Sequence, residues 1–214
     1  MKTCIIMPDR CDRPEFFAFA VKQINRMGFG KDAFIMNDRP RSNDIDLVWR
    51  IKEGLKMAKA EGFEFVIIME NDDAYHEEYI LHLQDYWNYD FVGFSTTTYY
   101  NIKARTWQKF NHPGRSSLFC TGFRISALSD NFWNRIKDSE RFLDIKIWEE
   151  ANRTGAKILL MPENPCIGIK HGLGKTGGKG HTMDLENRDP EMKWLKDHTD
   201  EEAFEFYKDL RLKL

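Results

Sequence analysis

The sequence predicts an α/β domain built on a mostly parallel sheet flanked by helices, and three observations carry that prediction. Short apolar runs rich in β-branched residues (3–7, 33–36 and 65–69) alternate with longer segments of helical periodicity. The connections between them are short, which implies parallel strands joined by right-handed crossovers. The third run ends abruptly in Glu70-Asn71-Asp72-Asp73, as a buried strand does when it delivers polar groups to the carboxyl edge of a sheet.

The elements follow in order. Residues 3–7 form the first strand and 8–13 a polar loop. Pro14 suits a first helical position, and the helix it opens runs to Met27 and stops at Gly28. Residues 33–36 are a second strand ending in Asn37 and Asp38, and 39–43 a loop. The next helix carries Val48, Ile51, Leu55 and Ala58 on one face and stops at Gly62. After the strand at 65–69 and its acids, 77–87 reads as a helix with Tyr79 or Ile80, Leu83 and Trp87 facing inward. Residues 91–94 are a strand, 99–117 loops with an edge hairpin, and 118–125 a strand broken at Gly122. Ser126 is placed to cap a helix reaching Lys137. Another helix spans 141–153 before Gly155, and 157–161 is a late strand. A Gly-rich tract runs from Gly172 to Gly180. Thr199 and Glu202 form a capping box for a final helix with Ala203, Tyr207 and Leu210 on its apolar face. There is no internal repeat and no dividing linker.

The 214 residues suffice for one domain with ample core. A hydrophobic content of 42% and a charged content of 31% exclude a disordered chain, and a net charge of −2 argues against a generally basic nucleic-acid coat. Cys4, Cys11, Cys120 and Cys166 are scattered without a CxxC pair, which argues against zinc and for reduced thiols. Charged residues by Asp9 and Arg10 come too early for a signal peptide, and no run approaches a membrane span. A soluble, cytoplasmic protein is the expectation.

Carboxylates crowded at a strand end repel one another unless a cation holds them, and hard oxygen ligands favour Mg2+ or Mn2+, ions that often carry a phosphate as well. The surrounding segment, VWRIKEGLKMAKAEGFEFVIIMENDD over 48–73, places Arg50 near a helix start, Gly54 four residues on, then a strand and the acids. It resembles the nucleotide-sugar-binding half of GT-A glycosyltransferases, with their Arg-Asn-x-Gly-x-x-x-Ala helix and Asp-x-Asp motif. Ile5-Ile6-Met7-Pro8-Asp9-Arg10 resembles the family's opening strand and loop. The resemblance implies a single GT-A-like, Rossmann-like domain over 1–214, with a nucleotide-sugar half (1–98), an acceptor and lid half (99–185) and a C-terminal helical segment (186–214). It departs from the pattern in having Arg50-Ile51 for Arg-Asn and Glu-Asn-Asp for the acidic motif. By the resemblance Glu70 takes the first acid position, Asp72 is the direct metal ligand, and Asp73 caps the next helix or binds a metal-bound water. Pro8, Asp9, Arg10 and Arg13 flank the nucleoside, Asp38 sits near base or ribose, and Arg50 and Asn71 support the donor pocket.

Two later segments extend the resemblance. His171-Gly172-Leu173-Gly174-Lys175 partly matches the His-x-x-Gly-x-x-Lys motif of retaining members, making His171 a third metal ligand with His181 as its rival. Glycines let backbone N–H groups approach phosphate, so Gly174 with Lys175 or Lys179 would cover the diphosphate. In inverting members an acid at the start of a late helix deprotonates the acceptor, and Asp144 and Glu149 are the candidates here; dipole pairing is the competing explanation for acids in a first helical turn. Trp107, Thr121 and Gly122 are assigned to the acceptor side, Gly122 because a small residue at a strand break permits close approach.

The implied activity is transfer of a sugar from a nucleotide-sugar, a UDP-sugar in the first instance, to a hydroxyl on a saccharide, a protein or hydroxymethylated DNA. Two alternatives stand beside it. A nucleotidyltransferase shares the sheet and acidic site but usually opens with a Gly-rich loop, where this chain has PDRCDRPEF. A non-catalytic nucleic-acid-binding module would use the aromatic and basic residues crowded between Tyr99 and Arg115. A P-loop at Gly174-Lys175-Thr176 is excluded because Ile169 stands where the motif requires glycine. Asp72, expected at a solvent-facing strand end, should be replaceable by alanine without loss of the fold.

Overall fold

The computed structural model describes residues 1–37, 46–86, 88–173 and 185–214. The first half follows the predicted order: β1 (Thr3–Pro8), α1 (Pro14–Arg26), β2 (Ala33–Met36), α2 (Leu47–Ala60) and β3 (Phe65–Ile68). Along β1 the side chains alternate between two cores. Cys4 and Ile6 join α2 on one face, while Ile5 and Met7 join α1 residues Ala20 and Ile24 on the other. A strand covered on both faces needs no polar alternation, which is why β1 and β3 read as continuous apolar runs. Pro14 opens α1 with Glu15 in its first turn and Arg26 in its last. Gly28 and Gly62, at φ +81 and +75, end α1 and α2 in the left-handed conformation that glycine adopts without penalty. Val48, Ile51, Leu55 and Ala58 are all buried on α2. A Cβ on Gly54 would stand 2.8 Å from Ile6 Cγ2, so this glycine lets α2 lie directly on β1.

The remaining elements are β4 (Ala74–Tyr75), α3 (Tyr79–Gln84), β5 (Phe91–Phe94), β6 (Thr96–Asn101), β7 (Thr106–Asn111), β8 (Gly122–Arg124), α4 (Asp130–Arg135), α5 (Leu143–Thr154), β9 (Ile158–Met161), β10 (Cys166–Lys170), β11 (Asn187–Arg188), α6 (Lys193–His198) and α7 (Glu201–Leu212). The described residues form a six-stranded sheet in the order β2-β1-β3-β8-β5-β9. Strands β2, β1 and β3 run parallel, as do β5 and β9, and β8 enters antiparallel between β3 and β5. A five-stranded sheet, β11-β7-β6-β10-β4, lies beyond it. There β10 runs parallel to β6 and antiparallel to β4, the short strand that follows the acids. A third core, with Phe16, Phe19, Tyr100, Ile169 and Tyr207, packs this sheet against α1 and α7.

Several boundaries differ from the sequence reading. Residues 118–120 form a 3-10 turn before the short β8. Helix α4 starts later than expected because Ser129, not Ser126, accepts the Phe132 N–H as its cap. The final helix is capped by Asp200, which accepts from Ala203 N at 2.8 Å, while Thr199 Oγ1 turns back to Leu195 O. Residues 96–111 are a regular hairpin inside the second sheet rather than loops at an edge. Tyr79, Ile80 and Leu83 are all buried on α3, and the expected inward Trp87 lies outside the described residues.

Candidate functional site

Strand β3 delivers its carboxylates as the sequence suggests, and one oxygen from each of Glu70, Asp72 and Asp73 lies within 4.8 Å of the others. Their surroundings differ. Asp73 is 3% exposed, and its Oδ1 accepts the Ile169 N–H at 2.7 Å, which pins β10 beside the acids. The backbone N–H of Glu70 donates to the Tyr75 hydroxyl at 2.7 Å. Gln23 of α1 bridges Asp73 O and Tyr75 N, fixing the turn between β3 and β4.

Asp72 is the centre of a polar knot. Its Oδ2 accepts from Arg13 Nη1, and His171 Nε2 lies 2.9 Å from the same oxygen. Arg13 Nη2 donates to Asn71 Oδ1 at 2.7 Å, and Asn71 Nδ2 donates to Asp9 Oδ1. The Leu173 N–H donates to His171 Nδ1 at 2.9 Å, so Nδ1 offers its lone pair and the ring proton sits on Nε2, aimed at Asp72. In this tautomer His171 is a hydrogen-bond donor to Asp72. Ligation of a metal through Nε2 requires the other tautomer and release of the Leu173 N–H. Phe16 packs against the imidazole at 4.4 Å, and Tyr207 of α7 donates to Asp72 O at 3.2 Å. Asp72 is therefore 7% exposed and tied to three distant parts of the chain, which corrects the expectation of a solvent-facing strand end.

The electrostatics follow from this crowding. Burial, then the Asp72 charge, pushes the Glu70 carboxyl up to about 7, against the pull of Lys170 and Arg13. Burial, then Asp72 and Glu70, pushes Asp73 well above the ordinary carboxylate range. Burial acts the same way on Asp72, but Arg13, the hydrogen bond from His171 and Lys170 outweigh it and hold that carboxyl well below the range. Three crowded hard oxygen donors, two of them driven toward neutrality, are the set that a divalent cation would relieve, so these residues fit such an ion.

The other sequence-derived candidates fall into groups. Asp9 directly follows β1, and its two oxygens take the Asn71 amide and the Cys11 N–H. Arg10 pairs with Asp46 at 2.8 Å. Arg50, 1% exposed, reaches the other Asp46 oxygen at 2.9 Å and Met36 O at 2.6 Å, so it ties the end of β2 to the start of α2. Asp144, in the first turn of α5, pairs with Arg115 at 2.7 Å; burial raises its pKa against Arg115, and its charge is felt at Glu70. Glu149 lies on the exposed face of α5, paired with Lys146 at 3.0 Å. Thr121 and Gly122 are buried within the central sheet. Thr121 Oγ1 accepts from Trp148 Nε1, and the close approach that Gly122 permits is that of the Phe65 ring, 2.8 Å from a built Cβ. Trp107 stacks on Trp194 at 4.4 Å. Asp38, Gly174, Lys175, Lys179 and His181 lie outside the described residues.

Sequence reasoning missed Lys170, Tyr75, Tyr207 and Arg115. Lys170 had a signal, since it precedes His171 at the end of an apolar run. Tyr75 follows the acids closely but its turn back onto Glu70 has no sequence signal, and Arg115 and Tyr207 reach the site only through long-range packing.

No family model matches the sequence, and no curated protein matches it. Solved structures do match. A candidate nucleotide-diphospho-sugar transferase from Desulfovibrio desulfuricans G20 aligns with a TM-score of 0.50 and 15% identity over 79% of this chain and 82% of its own. TarS residues 1–349 from S. aureus, in complex with UDP-GlcNAc, aligns with a TM-score of 0.53 and 11% identity over 83% of this chain. The match covers 61% of that TarS structure. At such identities the likeness defines the fold, which is that of the nucleotide-diphospho-sugar transferases: a GT-A-like α/β sheet with the acids at the carboxyl edge of β3. Among the described residues no helix is long and apolar enough to cross a membrane.

Proposed function

We propose that this chain is a glycosyltransferase that moves a sugar from a nucleotide-sugar, a UDP-sugar in the first instance, to an acceptor hydroxyl. The observation that carries the reading is the carboxylate trio at the end of β3, faced by Arg13 and Lys170, on a fold shared with nucleotide-diphospho-sugar transferases. Glu70 and Asp72 would hold Mn2+ or Mg2+, with Asp73 behind them and His171 joining only in its other tautomer. The bound ion supplies Lewis-acid stabilisation of charge on the departing diphosphate. Pro8, Asp9, Arg10 and Arg13 border the donor, and Lys170 adds positive charge on the side of β10.

In the reaction the bond from the anomeric carbon to the diphosphate oxygen breaks, the acceptor oxygen bonds to that carbon, and the acceptor proton leaves. Asp144 is the base for an inverting reaction: burial raises its proton affinity, and Arg115 orients it. Two of the hairpin's aromatics are already engaged: Tyr100 is buried and bonded to Asp189, and Trp107 stacks on Trp194. This favours a saccharide or protein hydroxyl over modified DNA.

The test is calorimetric binding of UDP with and without Mn2+, against GDP, ATP and single-stranded DNA. Metal-dependent binding of one nucleoside diphosphate is expected. Binding of DNA with no metal-dependent nucleotide would overturn the reading. With a UDP-sugar and acceptor, release of UDP marks glycosyl transfer, whereas release of pyrophosphate from a nucleoside triphosphate would mark nucleotidyl transfer.

A further inference from the structure

We propose that Arg13 is a built-in competitor of the divalent ion, so that its guanidinium and the metal are alternative occupants of the Asp72 Oδ2 position. The inference rests on the reading of Glu70 and Asp72 as metal ligands. Arg13 Nη1 donates to Asp72 Oδ2 and lies 3.0 Å from His171 Nε2, which is itself 2.9 Å from that oxygen, so a cationic nitrogen rests against the carboxylate oxygen that an ion would take. The second nitrogen is anchored on Asn71, and the Arg13 side chain is only 9% exposed. A guanidinium keeps its charge, so an ion taking the same oxygen would stand against a full positive charge at close range, a repulsion relieved when Arg13 swings off Asp72.

The exit is short. Arg13 is the last residue before α1, on the loop that borders the donor side, and Asp12 Oδ1 already lies 3.7 Å from its Nε. A guanidinium released from Asp72 at that edge presents a planar fork suited to two phosphate oxygens. Two consequences follow. The metal-free protein keeps an ordered site without an ion, and ion and nucleoside diphosphate bind with positive coupling, because the diphosphate rewards Arg13 for leaving.

The experiment titrates Mn2+, read by the loss of the free-ion EPR signal, into the wild-type chain, Arg13→Met, Arg13→Gln and Asp72→Asn, each with and without UDP. Without UDP, both Arg13 variants should bind Mn2+ roughly tenfold or more tightly than wild type, because one charge-assisted hydrogen bond no longer has to be broken. UDP should tighten Mn2+ binding in wild type more than in the Arg13 variants. Equal or weaker Mn2+ binding by the Arg13 variants, with Asp72→Asn losing the ion, would overturn the competition while sparing the metal reading. Retention of Mn2+ by Asp72→Asn, or no binding by any chain, would overturn both. If neither Arg13 variant folds, Mg2+ titration of the wild-type chain decides. Arginine side-chain 15N resonances that shift on ion binding support exchange, and unmoved resonances on an ion-loaded protein refute it.

Discussion

Replacing Asp72 by Asn should destabilise the metal-free protein by about 2–4 kcal/mol, even though the substitution keeps the side-chain shape. Removing one partner of a buried ion pair costs about 3–5 kcal/mol, because the other charge remains buried without compensation. The pair here qualifies, with side chains 9% and 10% exposed, so solvent screening gives little relief. The hydrogen bond from His171 weakens as well. Against this, the Asp72 charge is the leading cause, after burial, of the raised Glu70 and Asp73 carboxyls. Its removal relieves that repulsion, which is why the expected loss lies below the full value for a broken pair.

The assay is urea unfolding with chelator at pH 8, comparing wild type, Asp72→Asn, Arg13→Met and the double variant. The pH matters. The Asp72 carboxyl is held below its ordinary 3.8, so its stabilisation is present above that value and is lost as pH falls through the depressed one. At pH 8 it is fully present. Equal m-values would show that stability alone has changed. A loss of 3 kcal/mol would lower the melting temperature of a chain this long by roughly 6–12 °C. The double variant should recover part of the loss, giving a coupling energy of about 1–3 kcal/mol. A loss below about 1 kcal/mol for Asp72→Asn, with no coupling to Arg13, would mean that the pair behaves as an exposed one, and the knot described above would not exist in solution.

Three further outcomes are expected. Glu70→Gln should match wild type near pH 4.5 but exceed it by about 1–2 kcal/mol at pH 8: the raised Glu70 carboxyl keeps its proton in the folded state between 4.5 and about 7, and that contribution is lost as pH rises through 7. Denaturation midpoints at both pH values decide it. Of the four thiols, Cys11 is exposed and the other three are buried, with Cys4 and Cys120 pushed up to about 12 by burial. A thiol-reactive chromophore at pH 8 should therefore modify one cysteine quickly and all four only after denaturation; fast modification of two or more would contradict the packing of β1, of β10 or of the turn before β8. Gly93→Val should lower stability by more than about 3 kcal/mol, since even a Cβ there would stand 2.5 Å from Ser116 Cβ and 2.9 Å from the Trp148 ring. A soluble variant melting within a few degrees of wild type would show that β5 and α5 are not so closely apposed.

The parts of the fold legible in the sequence are those whose causes are local. The Pro14 start, the Gly28 and Gly62 stops and the apolar face of α2 each follow from residues within one element, and each is found in place. The second sheet was not legible as a sheet, because β4 and β10 pair Ala74 with Ile167, and no periodicity announces a partner that distant. The same holds within the site. That acids end β3 can be read directly. That Asp72 is buried cannot, because the chain covering it comes from residues 59 positions before it and 99 and 135 after it. Gly122 shows the limit in reverse: a glycine at a strand break does signal close approach, but the sequence does not say that the approaching group is the Phe65 ring rather than a substrate.

An ion pair of this kind has two possible reasons to exist, and they predict different patterns of response. If Arg13 and Asp72 were paired only to hold α1, β3 and β10 together, either substitution would lower stability and neither would change affinity for a divalent ion beyond the loss of the fold. If the pair is the resting state of a metal site, the two residues part company. Asp72→Asn loses both stability and metal, whereas Arg13→Met loses stability and gains metal affinity. The geometry favours the second pattern, because Arg13 bonds to the carboxylate that lies beside Glu70 and Asp73 rather than to an acid remote from them. It also gives a reason for the arrangement. Three carboxylates packed this closely repel one another, and an arginine on the loop before α1 supplies a positive charge beside them that is always present and that a mobile side chain can carry away.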